Sequence, residues 1–150
     1  SVPLMITNVS LVTVYCLDQD AARDFYVDVL GFVANTDVTM GEDFRWVTLN
    51  HPSQPELEVT LMTPGPPLSP ETADFYRRQL EKGEMPGLGL KVDDCRAMFD
   101  ELVAKGVTFL QEPSDRPYGV EAVMRDTTGN WLVLVEPRAF SPADFAPPAG

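Results

Sequence analysis

Two stretches of the chain share one order of hydrophobic and polar positions. From Val9 to Phe32 (VSLVTVYCLDQDAARDFYVDVLGF), Val12, Val14 and Cys16 alternate with Leu11, Thr13 and Tyr15. That period of two predicts a strand with both faces at least half covered. Asp18 and Asp20 follow, where a helix needs side-chain acceptors for its free N–H groups. Ala21, Ala22, Phe25, Tyr26, Val29 and Leu30 form a helical stripe, and Gly31 supplies a residue on which a helix can end. From Leu88 to Phe109 (LGLKVDDCRAMFDELVAKGVTF) the order returns: alternation, Asp93 and Asp94, a stripe of Cys95, Met98, Phe99, Leu102 and Val103, then Gly106. Asp20–Phe25 and Asp94–Phe99 have the same spacing at an offset of 74 residues, close to half of the 150-residue chain. This predicts an internal duplication.

Between and after these units the alternation predicts strands over 32–39, 44–50 and 56–63, with a turn at 40–43 and a loop at 51–55 that carries two prolines. In the fourth strand Leu57, Val59 and Leu61 are apolar, whereas Glu58, Thr60 and Met62 are mixed, so its two faces meet different surroundings. Pro64-Gly-Pro-Pro marks a break. Ser69-Pro70 predicts the start of a short connector helix with a stripe of Phe75, Tyr76 and Leu80, ended by Gly83. In the second half, strands are predicted over 85–92, 107–111, 120–125 and 131–136, with a loop at 112–118 and a hairpin turn at 126–130. The segment from Pro137 predicts a loosely ordered tail. Each half reads strand, helix, strand, strand, strand. The expected organisation is a single domain over 1–150, with a first module over about 6–64, a connector over about 65–84, a second module over about 85–136 and a tail over 137–150.

The totals narrow the chemistry. A formal charge of −12 with only 11 lysines and arginines argues against binding a nucleic-acid backbone, which needs clustered cations. Such a charge attracts cationic ligands, or simply keeps the protein soluble. No apolar run has the length of a membrane span and no signal-like start is present, so no membrane partner and a cytoplasmic location are expected. Cys16 and Cys95 form no Cys-x-x-Cys pair and read as reduced, packed thiols.

The pattern Asp18-x-x-Ala21-x-x-x-Phe25-Tyr26-x-x-x-Leu30-Gly31-Phe32, joined to Asp126-x-x-Gly129-Asn130, resembles the vicinal oxygen chelate superfamily, which includes glyoxalase I, extradiol dioxygenases, fosfomycin-resistance proteins and bleomycin-binding proteins. The resemblance runs from about Ile6 to Glu136. It implies an α+β fold of two βαβββ modules in a curled, cup-like mixed sheet with helices outside. It also implies a homodimer and, in the metal enzymes of the group, a divalent Lewis acid held by His, Glu or Gln. Here the corresponding positions fall on Leu11, Gly87 and Val133, and only Glu58 offers a carboxylate. One carboxylate does not hold a catalytic ion. No metal and no other cofactor is therefore expected; a site of Glu58, Glu121 and water is the remaining route to one. His51, in a Pro-bounded loop, reads as an exposed histidine.

If Leu11 faces the cup, strand alternation turns Thr13, Tyr15, Trp46, Thr48, Glu58, Thr60 and Met62 inward in the first half. In the second half it does the same for Gly87, Gly89, Lys91, Glu121, Val123, Arg125, Trp131, Val133 and Val135. Aromatic and apolar groups with a few placed polar ones suit a small organic ligand, with Trp46 and Trp131 able to stack on a planar one. The expected function is binding of such a molecule, aromatic or cationic and antibiotic-like. The alternatives are a lyase, isomerase or dioxygenase with an altered metal site, and metal-free acid–base catalysis by Glu58, Glu121 or Tyr15. A module whose aromatics only fill a core is a further one.

Overall fold

The computed structural model describes residues 2–145. The fold is α+β, built of two β-α-β-β-β modules, and the chain divides into two compact units between Asp74 and Phe75. The first unit holds β1 (Leu11–Tyr15), α1 (Gln19–Asp24), β2 (Val33–Met40), β3 (Phe44–Asn50) and β4 (Glu58–Met62). The division falls inside α2 (Pro70–Lys82). The second unit continues with β5 (Met85–Lys91), α3 (Cys95–Ala104), β6 (Phe109–Arg116), β7 (Gly119–Arg125) and β8 (Asn130–Pro137). Strand order is β1-β4-β3-β2 in one sheet and β5-β8-β7-β6 in the other, and in each the first strand pairs parallel with the last of its module. The duplication read from the hydrophobic pattern is thus repeated in the topology. Among the described residues no helix is long and apolar enough to cross a membrane.

Each sheet has one apolar face. In the first, Val14, Val47, Leu49, Val59 and Leu61 are buried, and α1 lies on β3 and β4. In the second, Val120, Ala122, Met124, Leu132 and Leu134 are buried, and α3 lies across β6, β7 and β8. Fully burying a side chain of this size stabilises by about 1.5–3 kcal/mol, so these faces supply most of the favourable free energy of each layer.

The first helix departs from its copy. Asp18, not Asp20, is the N-cap: its Oδ1 accepts from the N–H groups of Asp20 and Ala21 at 2.9 and 3.0 Å. Asp94 caps α3 through the Ala97 N–H. Measured between true caps, the repeat is 76 residues, while Gly31 and Gly106, both at positive φ, lie 75 apart. The difference is absorbed after α1, where Phe25–Val29 forms a π-helical turn with Leu30 N–H donating to the Phe25 carbonyl. Phe25 and Tyr26 are both buried in this turn. Tyr26 meets Phe25 and Phe32 edge-on at 5.6 and 5.7 Å.

Other expectations need correction. The connector helix α2 is not short; at 13 residues it is the longest helix described. Its buried residues are Ala73 and Leu80, whereas Phe75 is 51% exposed. In α3, Val103 is exposed and does not belong to the buried stripe. Strand β6 continues through the segment read as a loop, because it is an edge strand and tolerates Pro113 where no ladder donor is required. Its pairing shifts between Gln111 and Ser114, on either side of that proline. The segment after β8 is also structured. Arg138 N–H donates to the Tyr118 carbonyl, Pro142–Phe145 makes a 3₁₀ turn, and Tyr118 packs with Phe140 and Phe145 at ring distances of 6.4 and 6.2 Å. The tail's remaining five residues lie outside the described part.

Candidate functional site

The opposite, mixed face of each sheet carries the residues expected to meet a ligand. Residues paired directly across neighbouring strands point to the same side. In the first sheet Leu11, Thr13 and Tyr15 of β1 stand opposite Glu58, Thr60 and Met62 of β4, and Thr48 of β3 stands opposite Thr60. Trp46, two residues from Thr48 on β3, shares that side. Thr13, Tyr15, Trp46, Thr48, Glu58, Thr60 and Met62 therefore form one surface in three rows: Tyr15–Met62–Trp46, Thr13–Thr60–Thr48, and Leu11–Glu58. Tyr15, Trp46, Glu58 and Met62 are half-buried, and Thr48 and Thr60 are buried. The Thr48 hydroxyl accepts from the Thr36 N–H at 3.1 Å. Among the described residues the Thr60 Oγ1 has no hydrogen-bond partner.

In the second sheet Gly89 and Lys91 stand opposite Val133 and Val135, while Glu121, Val123 and Arg125 stand opposite Val135, Val133 and Trp131. These residues share the mixed face. Gly89 leaves open space there, since a Cβ at that position would meet nothing within 4 Å. Gly87 does not join it. The β5–β8 register shifts between Pro86 and Gly89, and a Cβ on Gly87 would press at 3.1 Å on Asn130 Cβ and at 3.5 Å on the core residue Leu132. An irregularity of this kind inverts alternation locally, and nothing in the residue types announces it.

Glu121 is the most constrained acid on this face. Its Oε2 accepts from the Tyr118 hydroxyl at 2.6 Å and its Oε1 lies 3.6 Å from Arg116 Nε. The bond to Glu121, with burial second, pushes the Tyr118 phenol above its ordinary value. Gln111 completes the bracket, accepting from Arg116 and donating to the Glu121 carbonyl. Sequence reasoning missed Tyr118, Arg116 and Gln111 because the first two lay in or beside the expected loop. Trp131 donates its indole N–H to the Glu84 carbonyl at 3.2 Å, and the Arg125 guanidinium lies beside Gly83.

A second polar cluster borders the first sheet. Arg45 binds Asp37 and Asp20 at 2.8 Å, and Arg23 binds Asp37 at 2.6 Å. The hydrogen bonds from Arg45 hold both carboxyls below their usual range, and the two acids push Arg45 above its own. This network ties α1 to the β2–β3 hairpin. Cys16 and Cys95 are both buried; desolvation, then Glu136, pushes the Cys95 thiol up.

The divalent ion implied by the family resemblance does not fit these residues. Leu11, Gly87 and Val133 offer no donor atom, and among the described residues no three His, Cys, Asp or Glu side chains gather as a metal site. His51 lies in its loop, bonded to Ser53 and edge-on to Phe32.

Comparison with known proteins agrees with the topology. Residues 8–134 match the family described as the glyoxalase/bleomycin resistance protein/dioxygenase superfamily. The uncharacterized protein YurT of Bacillus subtilis (strain 168) is 32% identical over 86% of this chain and 98% of its own length. The crystal structure of UcmS2 is 41% identical with a TM-score of 0.79, covering 88% of this chain and 99% of that one. TnmS3, an antibiotic binding protein from Streptomyces sp. CB03234, is 29% identical with a TM-score of 0.70, covering 91% and 100%.

Proposed function

The chain belongs to the glyoxalase/bleomycin resistance protein/dioxygenase superfamily, and from that premise we propose that it binds a small, planar, partly aromatic molecule of antibiotic type on the mixed face of its first sheet. The observation that carries this is the first sheet's surface: an aromatic–thioether row, a hydroxyl row and one carboxylate, aligned in register across β1, β4 and β3. Trp46, Met62 and Tyr15 offer a flat apolar platform, and Glu58 gives a cationic substituent a counter-charge. The second sheet's own mixed face offers Lys91, Arg125 and Trp131 to a ligand of that face. Kinship with TnmS3, itself an antibiotic binding protein, supports the same class of ligand.

A thermal-shift screen of planar aromatic and cationic antibiotics tests the proposal. A ligand at 100 times its Kd stabilises by about 2.7 kcal/mol, or roughly 5–10 °C for a chain of this size. No shift with any member of the panel contradicts it. We further propose that the working form is a homodimer, as in the resemblance; a monomer by light scattering at ligand-binding concentration contradicts that.

A further inference from the structure

We propose that the second sheet's mixed face binds a planar aromatic carboxylate, its ring seated in the gap at Gly89 and its anion at Lys91. This surface is distinct from the first sheet's and does not depend on a ligand there. Gly89 lies inside β5, opposite Val133 and on the same side. A glycine inside a strand costs stability. It is found where the backbone takes an unusual turn, where packing leaves no room for a Cβ, or where a ligand or another backbone comes near. The first two reasons do not hold. Gly89 does not take a positive φ, and a Cβ there would meet nothing within 4 Å. From Gly89 onward the pairing with β8 is regular. Gly87 shows the contrast, since its Cβ would press at 3.1 Å on both Asn130 Cβ and the Trp131 carbonyl. What remains for Gly89 is an approach from outside. The surroundings set its chemistry. Val133 and Val123, both half-buried, floor the gap and suit an apolar ring. Lys91 is exposed on the same side, two residues along β5, about 6.6 Å by strand rise. Its row continues through Val135 to Glu121. Glu121 is already engaged, by the Tyr118 hydroxyl at 2.6 Å and by Arg116 at 3.6 Å. Lys91 has no ion pair among the described residues, in a chain of net charge −12. Arg125, at the other end of the face, is drawn to Gly83. An ammonium without a counter-ion beside an apolar gap selects an anion carried on a flat apolar body. One lysine balances one charge, which favours a carboxylate over a phosphate dianion.

The experiment titrates 2-naphthoate and 2-naphthamide, one shape with and without the charge, and follows the backbone amides by two-dimensional NMR. The probes are compared in wild type, Lys91→Gln, Lys91→Arg, Gly89→Ala and Gly89→Val. Wild type should prefer naphthoate by about fivefold, the upper end for a partly exposed ion pair, with shifts centred on β5 and β8. K91Q should bind the two within about twofold of each other, and K91R should keep the preference. G89V should weaken both by about tenfold or more, because its methyls occupy the ring's place. Without ligand, G89A should melt about 1–4 °C above wild type, since a Cβ fits and strand entropy improves. A lower melting temperature in G89A means that the fold itself demands glycine, and overturns the inference. Undiminished binding in G89V, or an undiminished preference in K91Q, also overturns it. A changed oligomeric state in G89V assigns the gap to another chain and overturns it as well. Equal binding of the two probes by wild type, or shifts confined to the first sheet, does the same. Binding of neither probe overturns it while leaving the first sheet's ligand to the antibiotic screen.

Discussion

Replacing Asp126 by alanine should be among the most damaging single changes in the second unit. Asp126 opens the β7–β8 turn and is buried. Its Oδ1 accepts from the N–H groups of Thr128 and Asn130, each at 2.9 Å, and its Oδ2 accepts from Asn130 Nδ2 at 2.9 Å. Thr128 and Asn130 are buried as well, so water does not readily replace the lost acceptor. Hydrogen bonds to a charged group contribute about 1.5–3 kcal/mol each and do not add fully, which puts the expected loss at about 3–5 kcal/mol. That is a large part of the 5–15 kcal/mol that holds an ordinary domain, and corresponds to a fall of roughly 8–15 °C in Tm. Asp126→Asn keeps an acceptor for the two backbone donors but sets an amide against the Asn130 amide, so about 1–2 kcal/mol is expected. Urea unfolding followed by circular dichroism measures both. A D126A loss under 1 kcal/mol, or D126N as harmful as D126A, would refute the reasoning that the carboxylate organises this turn.

Gly129→Ala should cost more than about 2 kcal/mol, because Gly129 has φ +100° and a Cβ there would collide with the Leu80 carbonyl; the same unfolding assay reads it. The Tyr118 phenol is held above its ordinary value of 10.0 by Glu121, so its stabilising share is present below pH 10 and is lost as pH rises through the raised value. The stability gap between wild type and Tyr118→Phe should therefore shrink above pH 10, and a gap unchanged to pH 11.5 contradicts the bond. Asp20 and Asp37 are depressed by Arg45, so their contribution is present above about pH 4 and lost as pH falls through their lowered values. Arg45→Met should then differ from wild type at pH 7 but converge on it near pH 2 and in 1 M salt; a salt-independent difference would point to packing by the Arg45 stem instead.

Much of this was legible in the residues because alternation and helical stripes are direct consequences of burial. The mixed faces followed from parity once one strand was oriented: the registers set Thr13, Thr60 and Thr48 side by side across β1, β4 and β3. What escaped had physical causes. Asp18 and Asp20 are equivalent by residue type, and only backbone geometry selects the cap. The π-helical turn and the β5 register shift each insert a residue, which displaced the repeat and moved Gly87 to the core side. Pro113 reads as a loop unless the strand is known to be an edge. The bracket around Glu121 depends on a tyrosine and arginine brought in by that same edge strand and its turn.

The central claim is that the Trp46–Met62–Tyr15 row receives a planar ligand. In a Trp131→Phe variant Trp46 is the only tryptophan, so its emission reports on that row alone. Titrated with each antibiotic that raises its own melting temperature, this variant should show saturable quenching of Trp46. Unchanged Trp46 emission at saturating ligand would place binding elsewhere and contradict the account.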